Sequence, residues 1–172
     1  MDRRAPRRPW QAGAGLMVFD EEFEVRADIE RVWTFLLDVD RVARCVPGCQ
    51  GAEPLGEPGT YRARIAVRLG PVAAAFALKV RITEERRPVY LASTVEGHEG
   101  GAASTLTQRN ELTLAALADG GTRVRFHTEV NVLGRLGKFG AGLLRQTARG
   151  MAEEFAARVR ARLESVTESP TA

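Results

Sequence analysis

From residue 60 to residue 132 the chain passes through one segment after another in which apolar and polar residues alternate, and no helical spacing interrupts them. Alternation with period two is what a strand needs to bury one face and wet the other. In "TYRARIAVRL" the residues Tyr61, Ala63, Ile65, Val67 and Leu69 share one side, while Arg62, Arg64 and Arg68 share the other. After Gly70 and Pro71, "VAAAFALKVRI" sets Ala74, Phe76, Leu78, Val80 and Ile82 on its apolar side. "VYLASTV" follows the "EERRP" turn, "STLTQRNELTL" the "GHEGGA" turn, and "RVRFHTEVNV" the hairpin signal "ADGGT". Strands joined by turns this short run antiparallel.

The segments on either side have other periods. "MVFDEEFEV" reads as a first strand with Phe19 and Phe23 inward. In "ADIERVWTFLLDVD", Ile29, Val32, Trp33, Leu36 and Leu37 fall on one helical face, and Asp28 is placed to cap it. A second short helix from about Asp38 or Asp40 buries Val42, Cys45 and Val46 and stops at Pro47-Gly48. From Leu133 to Leu163 the pattern predicts one long helix, with Leu136, Leu143, Leu144, Met151, Phe155, Val159 and Leu163 as its apolar stripe. Its other side gathers Arg135, Lys138, Arg145 and Arg149, a candidate contact for anionic lipid or an acidic partner. Gly134, Gly137, Gly140, Gly142 and Gly150 go against that helix, since each costs about 1 kcal/mol relative to alanine. Either the backbone comes close to the sheet there or the first turns are loosened.

This order of elements predicts an α+β fold in which a curved antiparallel sheet of six to seven strands wraps a long C-terminal helix, with two short helices after the first strand. The domain is expected over residues 17–165, between a basic tail over 1–16 and a frayed end over 166–172. With 172 residues, 44% hydrophobic and 27% charged, one ordinary globular domain is the expectation. The net charge of +3 owes much to "MDRRAPRRP". The nearly neutral remainder is no nucleic-acid surface. No apolar run is long enough to span a bilayer, and the first residues carry no secretion signal, so the cytoplasm is the expected location.

Catalytic and metal chemistry find little to stand on. Two cysteines, Cys45 and Cys49, and two histidines, His98 and His127, are too few and too scattered for a metal sphere. Cys45 falls where a helical face takes a small hydrophobe, and Cys49 follows the turn; a redox or ligand contact is the alternative reading of the pair. His98 is expected in a glycine-rich turn, and His127 shares the outward register of Arg123, Arg125 and Glu129. No nucleophile and base share a face.

The inward register is almost wholly apolar. Tyr61, Ile65, Phe76, Leu78, Val80, Leu106, Phe126 and Val130 of the sheet would face Leu143, Met151 and Phe155 of the helix. Small residues, Ala63, Ala74, Ala92 and Ala103, would leave room between them for a lipid tail or polyprenyl chain. Gln108 and Asn110 break the pattern, and a buried amide calls for a partner, which a quinone carbonyl would supply. A frayed strand that lets both amides reach water is the alternative.

The segments "ERVWTFLLDVDRVARCVPGC", "YRARIAVRLGPVAAAF", "GGTRVRFHTEVNVLGRLGKFG" and "FAARVRARLE" together resemble the CoxG family of carbon monoxide dehydrogenase subunits, within the START-like (SRPBCC) superfamily of helix-grip folds. The resemblance rests on Val32-Trp33, on Cys45 through Cys49, on Gly70-Pro71 and on Gly120-Gly121-Thr122, in that order. It implies a non-catalytic accessory of a carbon monoxide dehydrogenase or related molybdenum hydroxylase. Such a protein would carry a quinone (menaquinone or ubiquinone) or another lipid in an apolar cavity, bind no covalent cofactor, and help recruit the enzyme to the inner face of the cell membrane. Many relatives carry a C-terminal anchor; the sequence here shows none, so peripheral contact is the expectation. The rivals are a small enzyme of the same superfamily, such as a polyketide cyclase-like protein, and a solid-cored adaptor that binds only protein.

Overall fold

The computed structural model describes residues 16–165. Of the tail expected over 1–16, residues 1–15 lie outside the described residues, as does the expected frayed end over 166–172, while Leu16 opens the first strand. Seven strands form one antiparallel sheet in the order β1-β7-β6-β5-β4-β3-β2. They are β1 Leu16–Val25, β2 Cys49–Pro54, β3 Thr60–Leu69, β4 Val72–Arg86, β5 Tyr90–Glu99, β6 Ser104–Ala116 and β7 Thr122–Gly134. Helices α1 (Ile29–Leu37) and α2 (Val39–Cys45) fill the connection from β1 to β2, and α3 (Gly140–Glu164) closes the chain. This is the helix-grip arrangement, a curved sheet held against one long helix.

Local chemistry explains the helix starts. Asp28 caps α1 by accepting from the Arg31 amide at 3.1 Å, and Asp38 caps α2 by accepting from the Arg41 amide at 3.2 Å. Each carboxylate satisfies one amide that the first turn leaves without an intrahelical partner. Trp33, 1% exposed, and Val32, fully buried, carry the apolar face of α1 into the core.

The long helix differs from its sequence pattern. It begins at Gly140 rather than near Leu133, because β7 runs on to Gly134 and a short helical turn, Leu136–Lys138, intervenes. Gly134 and Gly140 have φ of 87° and 70°, a left-handed backbone that interrupts a continuous helix and that glycine adopts without penalty. The two apolar stretches share a spacing, so the pattern runs through a break that only the backbone reveals. His98 is a second correction. It lies within β5, on the exposed convex face, paired in register with Ala77 and Thr105. Ala92 also faces the convex side, opposite Glu84 and Glu111, where a bulge after Ile82 resets the pairing of β4.

Two separate apolar clusters hold the layers together. At the far end, Phe23, Val25, Val32, Trp33, Cys45, Leu114, Val124, Val159 and Leu163 join α1, α2 and the last turns of α3 to the sheet. At the near end, Met17, Phe19, Leu69, Ala74, Phe76, Val130, Val132, Leu136 and Leu144 join the first turns of α3 to the opposite strand ends. Burial of this kind contributes about 25 cal/mol per Å² of apolar surface removed from water. The far end is also tied by Arg87 of the β4–β5 turn, whose Nε and NH2 donate to Glu30 of α1 at 3.1 and 2.9 Å.

Candidate functional site

Between the two clusters the concave wall is lined by residues that belong to neither. Two adjacent inward rows cross the sheet there. One runs Thr128, Asn110, Ser93, Ile82 over β7, β6, β5 and β4; the next runs Gln108, Val95, Val80, Tyr61 over β6, β5, β4 and β3. The rows form a belt that is polar toward β7 and apolar toward β3. On α3, Met151 likewise lies outside both clusters.

Hydrogen bonds knit the polar half. Asn110 Oδ1 accepts from Gln108 Nε2 at 2.6 Å and from Thr128 Oγ1 at 3.0 Å, and Asn110 Nδ2 donates to Ser93 Oγ at 3.2 Å. Asn110 is thereby fixed at the centre. The second N–H and the Oε1 of Gln108, and the hydroxyl hydrogen of Ser93, keep no protein partner among the described residues. They are the uncommitted polar atoms of the belt.

Solvent reaches this wall. Tyr61, Ile65, Leu78, Val80, Leu106, Gln108, Asn110 and Phe126 of the sheet and Leu143, Met151 and Phe155 of α3 are all half-buried, whereas a solid core would enclose them. Phe76 and Val130 differ, at 5% and 8% exposed, because they belong to the near cluster; within the belt itself Val95 and Thr128 are also buried. Phe126 and Phe155 stack edge to face with centroids 6.3 Å apart and pack against the far cluster at the border of the belt. Ser93 and Thr128 are the wall residues that sequence reasoning misses, although their parity with Val95 and Val130 would place them on the same side.

The charged residues of the wall are few. Glu21 lies on the inward register of β1, opposite Phe126, and is half-buried. Glu99, 8% exposed, ends β5 at the near cluster and is bound by the Arg135 guanidinium. That hydrogen bond holds the Glu99 carboxyl below the usual carboxylate range against the opposing effect of burial. Its Oε2 is buried with no hydrogen-bond partner among the described residues. Arg135 therefore leaves the basic row expected on the helix, while Lys138, Arg145 and Arg149 remain exposed and unpaired among the described residues.

On the convex face a depression of about 490 Å³ is lined by Asp20, Glu21, Glu22, Tyr90, Glu111, Thr113, Arg125, Phe126 and His127. Most of its charged groups pair with one another or with Glu129. His127 Nδ1 meets Asp20 at 2.7 Å and Nε2 meets Glu129 at 3.3 Å, Tyr90 donates to Glu111 at 3.0 Å, and Arg125 pairs with Glu22. The Asp20 contact raises the His127 pKa above its ordinary value, with burial opposing. These pairings already occupy most of its charged groups, whereas the belt leaves polar atoms uncommitted among the described residues, so the belt is the stronger candidate. Cys45 is fully buried in the far cluster, where burial pushes its thiol pKa up and away from nucleophilic use. Among the described residues no cluster of histidine, cysteine and carboxylate fits a metal ion, and no helix is long and apolar enough to cross a membrane.

Comparison with known proteins agrees with this architecture. The solved structure of a conserved protein from Geobacillus kaustophilus superposes with a TM-score of 0.79 at 19% identity, covering 87% of this chain and 96% of that one. A START superfamily protein from Mycobacterium smegmatis gives 0.67 at 15% identity over 87% and 98% of the two chains. The Zhui aromatase/cyclase from Streptomyces sp. R1128 gives 0.69 at 16% identity over 90% and 97%. At such identities these likenesses speak for the fold alone. No curated protein sequence matches the chain. The family model for the carbon monoxide dehydrogenase subunit CoxG matches residues 22–164, from within the first strand to the last residue of α3, and the chain belongs to that family.

Proposed function

We propose that this protein is a non-catalytic carrier, sheltering a quinone or similar neutral lipid in its concave hollow and serving a carbon monoxide dehydrogenase-type molybdenum hydroxylase at the membrane surface. The observation that carries the reading is the belt: Tyr61, Val80 and Ile82 of the sheet and Met151 of α3 stay half-buried between two closed clusters. An isoprenoid tail would lie along Tyr61, Val80 and Met151, and a carbonyl head would accept from Ser93 and Gln108. The belt carries no cation to pair a carboxylate or phosphate head, and desolvating such a head unpaired is costly. Membership of the CoxG family supports the enzyme partner, and Lys138, Arg145 and Arg149 suit contact with anionic lipid at the inner face of the membrane.

The aromatase/cyclase among the similar structures favours a second reading, a small cyclase-like enzyme. It fares worse, because both histidines point to the convex side, and of the inward carboxylates Glu21 lies opposite Phe126 while Glu99 is bound by Arg135. Native mass spectrometry of protein purified from a quinone-producing host decides for or against the carrier. The expected result is one neutral lipid per chain, released by solvent extraction; a chain that is empty under every gentle preparation overturns the reading.

A further inference from the structure

The segment between β7 and α3 is a short flap with a built-in fastening. Gly134 at its start sits so close to the β5–β6 turn that an added Cβ would lie 2.3 Å from the Ala103 carbonyl oxygen. Gly140 at its end meets nothing within 4 Å, so its left-handed φ acts purely as a joint to α3. Between them the flap is seated on the β5–β6 turn by the Arg135 amide donating to Ala103 at 2.8 Å and the Leu136 amide donating to Ser104 Oγ at 3.0 Å. Leu136, 1% exposed, plugs the near cluster.

Arg135 fastens the flap by binding Glu99, and both ends of that bond are unusual. Glu99 is more than nine-tenths buried, and its Oε2 has no hydrogen-bond partner among the described residues, so its charge depends on Arg135 with help from Ser104. The Arg135 side chain is 45% exposed and stands one turn from Lys138, which is exposed and unpaired among the described residues. Any anionic surface that meets Lys138 also competes for Arg135. If Arg135 leaves, a buried carboxylate loses its counter-charge and the turn carrying it is driven toward water.

We propose that Arg135 is a two-position latch: bound to Glu99 it holds the Leu136 flap shut, and drawn to an anionic lipid surface it releases the flap at the near end of the hollow. The trigger rests on the membrane contact of the functional reading; the latch does not. Ion-pair exchange of this kind needs no covalent step and reverses when the surface is left.

Amide hydrogen exchange of the full chain tests it without any ligand, read at Arg135 and Leu136 with the α1 amides as internal standard. Arg135→Gln should speed exchange at both positions by about tenfold or more while α1 is unchanged. Glu99→Gln, which removes the buried charge and keeps a hydrogen-bond acceptor, should give a smaller acceleration and serves as the second variant should Arg135→Gln fold poorly. Phosphatidylglycerol vesicles should accelerate the wild-type flap, whereas phosphatidylcholine vesicles and inorganic phosphate should not. Flap exchange as slow in both variants as in the wild type overturns the latch. Indifference to phosphatidylglycerol, or equal acceleration by soluble phosphate, overturns the surface as its trigger. An empty hollow by mass spectrometry would fail the carrier reading and leave these results standing.

Discussion

Asn110 on β6 reaches Ser93 on β5 at 3.2 Å, a side-chain bond that ties the two middle strands together on the inward face of the belt. Its removal tests whether the polar half of the belt matters. Asn110→Leu is close in volume and leaves Gln108, Thr128 and Ser93 without their shared partner. A net hydrogen bond contributes about 1 kcal/mol, so a stability loss of about 1–2 kcal/mol is expected by urea unfolding. Retention of a neutral polar-headed lipid should weaken by about tenfold, equivalent to about 1.4 kcal/mol, as measured by competitive binding.

Val80→Phe probes the hollow itself. In a solid core an added ring forces neighbours out of their rotamers at about 1–3 kcal/mol, whereas a half-empty space receives it nearly free. The expected outcome is a stability within about 1 kcal/mol of the parent together with lost lipid retention. A large destabilisation in thermal and urea unfolding would mean that the interior is filled.

The glycines of the last segment should respond differently to alanine. Gly150 lies inside α3 with open space where a Cβ would go, so Gly150→Ala should stabilise by about 0.5–1 kcal/mol. Gly140→Ala meets no contact but takes a left-handed φ and should cost about 1–2 kcal/mol. Gly134→Ala adds the collision with Ala103 to the same backbone penalty and should cost more than about 2 kcal/mol. Equilibrium unfolding of the three variants gives the order directly.

His127 gives the protein a pH dependence with a definite sign. Its protonated form is favoured in the folded state by Asp20 first and Glu129 second, so its folded pKa lies above the ordinary value of 6.5. A group whose pKa rises on folding binds more protons folded than unfolded. Its stabilisation is fully present below pH 6.5 and is lost as pH climbs through the raised folded value. The side chain is 35% exposed, so solvent screens the effect. His127→Gln should flatten the fall in stability above pH 6.5, read as melting temperature against pH.

Much of the fold is legible in the sequence because one periodicity dominates. Tyr61 through Leu69 and Ala74 through Ile82 occupy the faces their alternation assigns, and the α1 stripe with its Asp28 cap forms as spaced. What stays hidden depends on partners distant in sequence or on the backbone. β2 contains Gly51, ends at Pro54 and pairs irregularly with β3, so no alternation marks it. The start of α3 is obscured because Leu136 and Leu143 sit at compatible helical positions on either side of the Gly140 joint. Parity places Gln108 and Asn110 inward, but their bonds to each other and to Ser93 and Thr128 appear only once strands lie side by side. Glu99 and Arg135, 36 residues apart, carry no mark in sequence that they meet.

The separation of the two apolar clusters has a consequence for how this architecture can diversify. Since neither cluster includes the belt, substitutions along Ser93, Gln108, Tyr61 or Val80 leave the anchoring of α1, α2 and both ends of α3 untouched. The chain behaves as a frame fastened at top and bottom with an interchangeable middle, so the chemistry of the concave wall can drift while the frame keeps its shape.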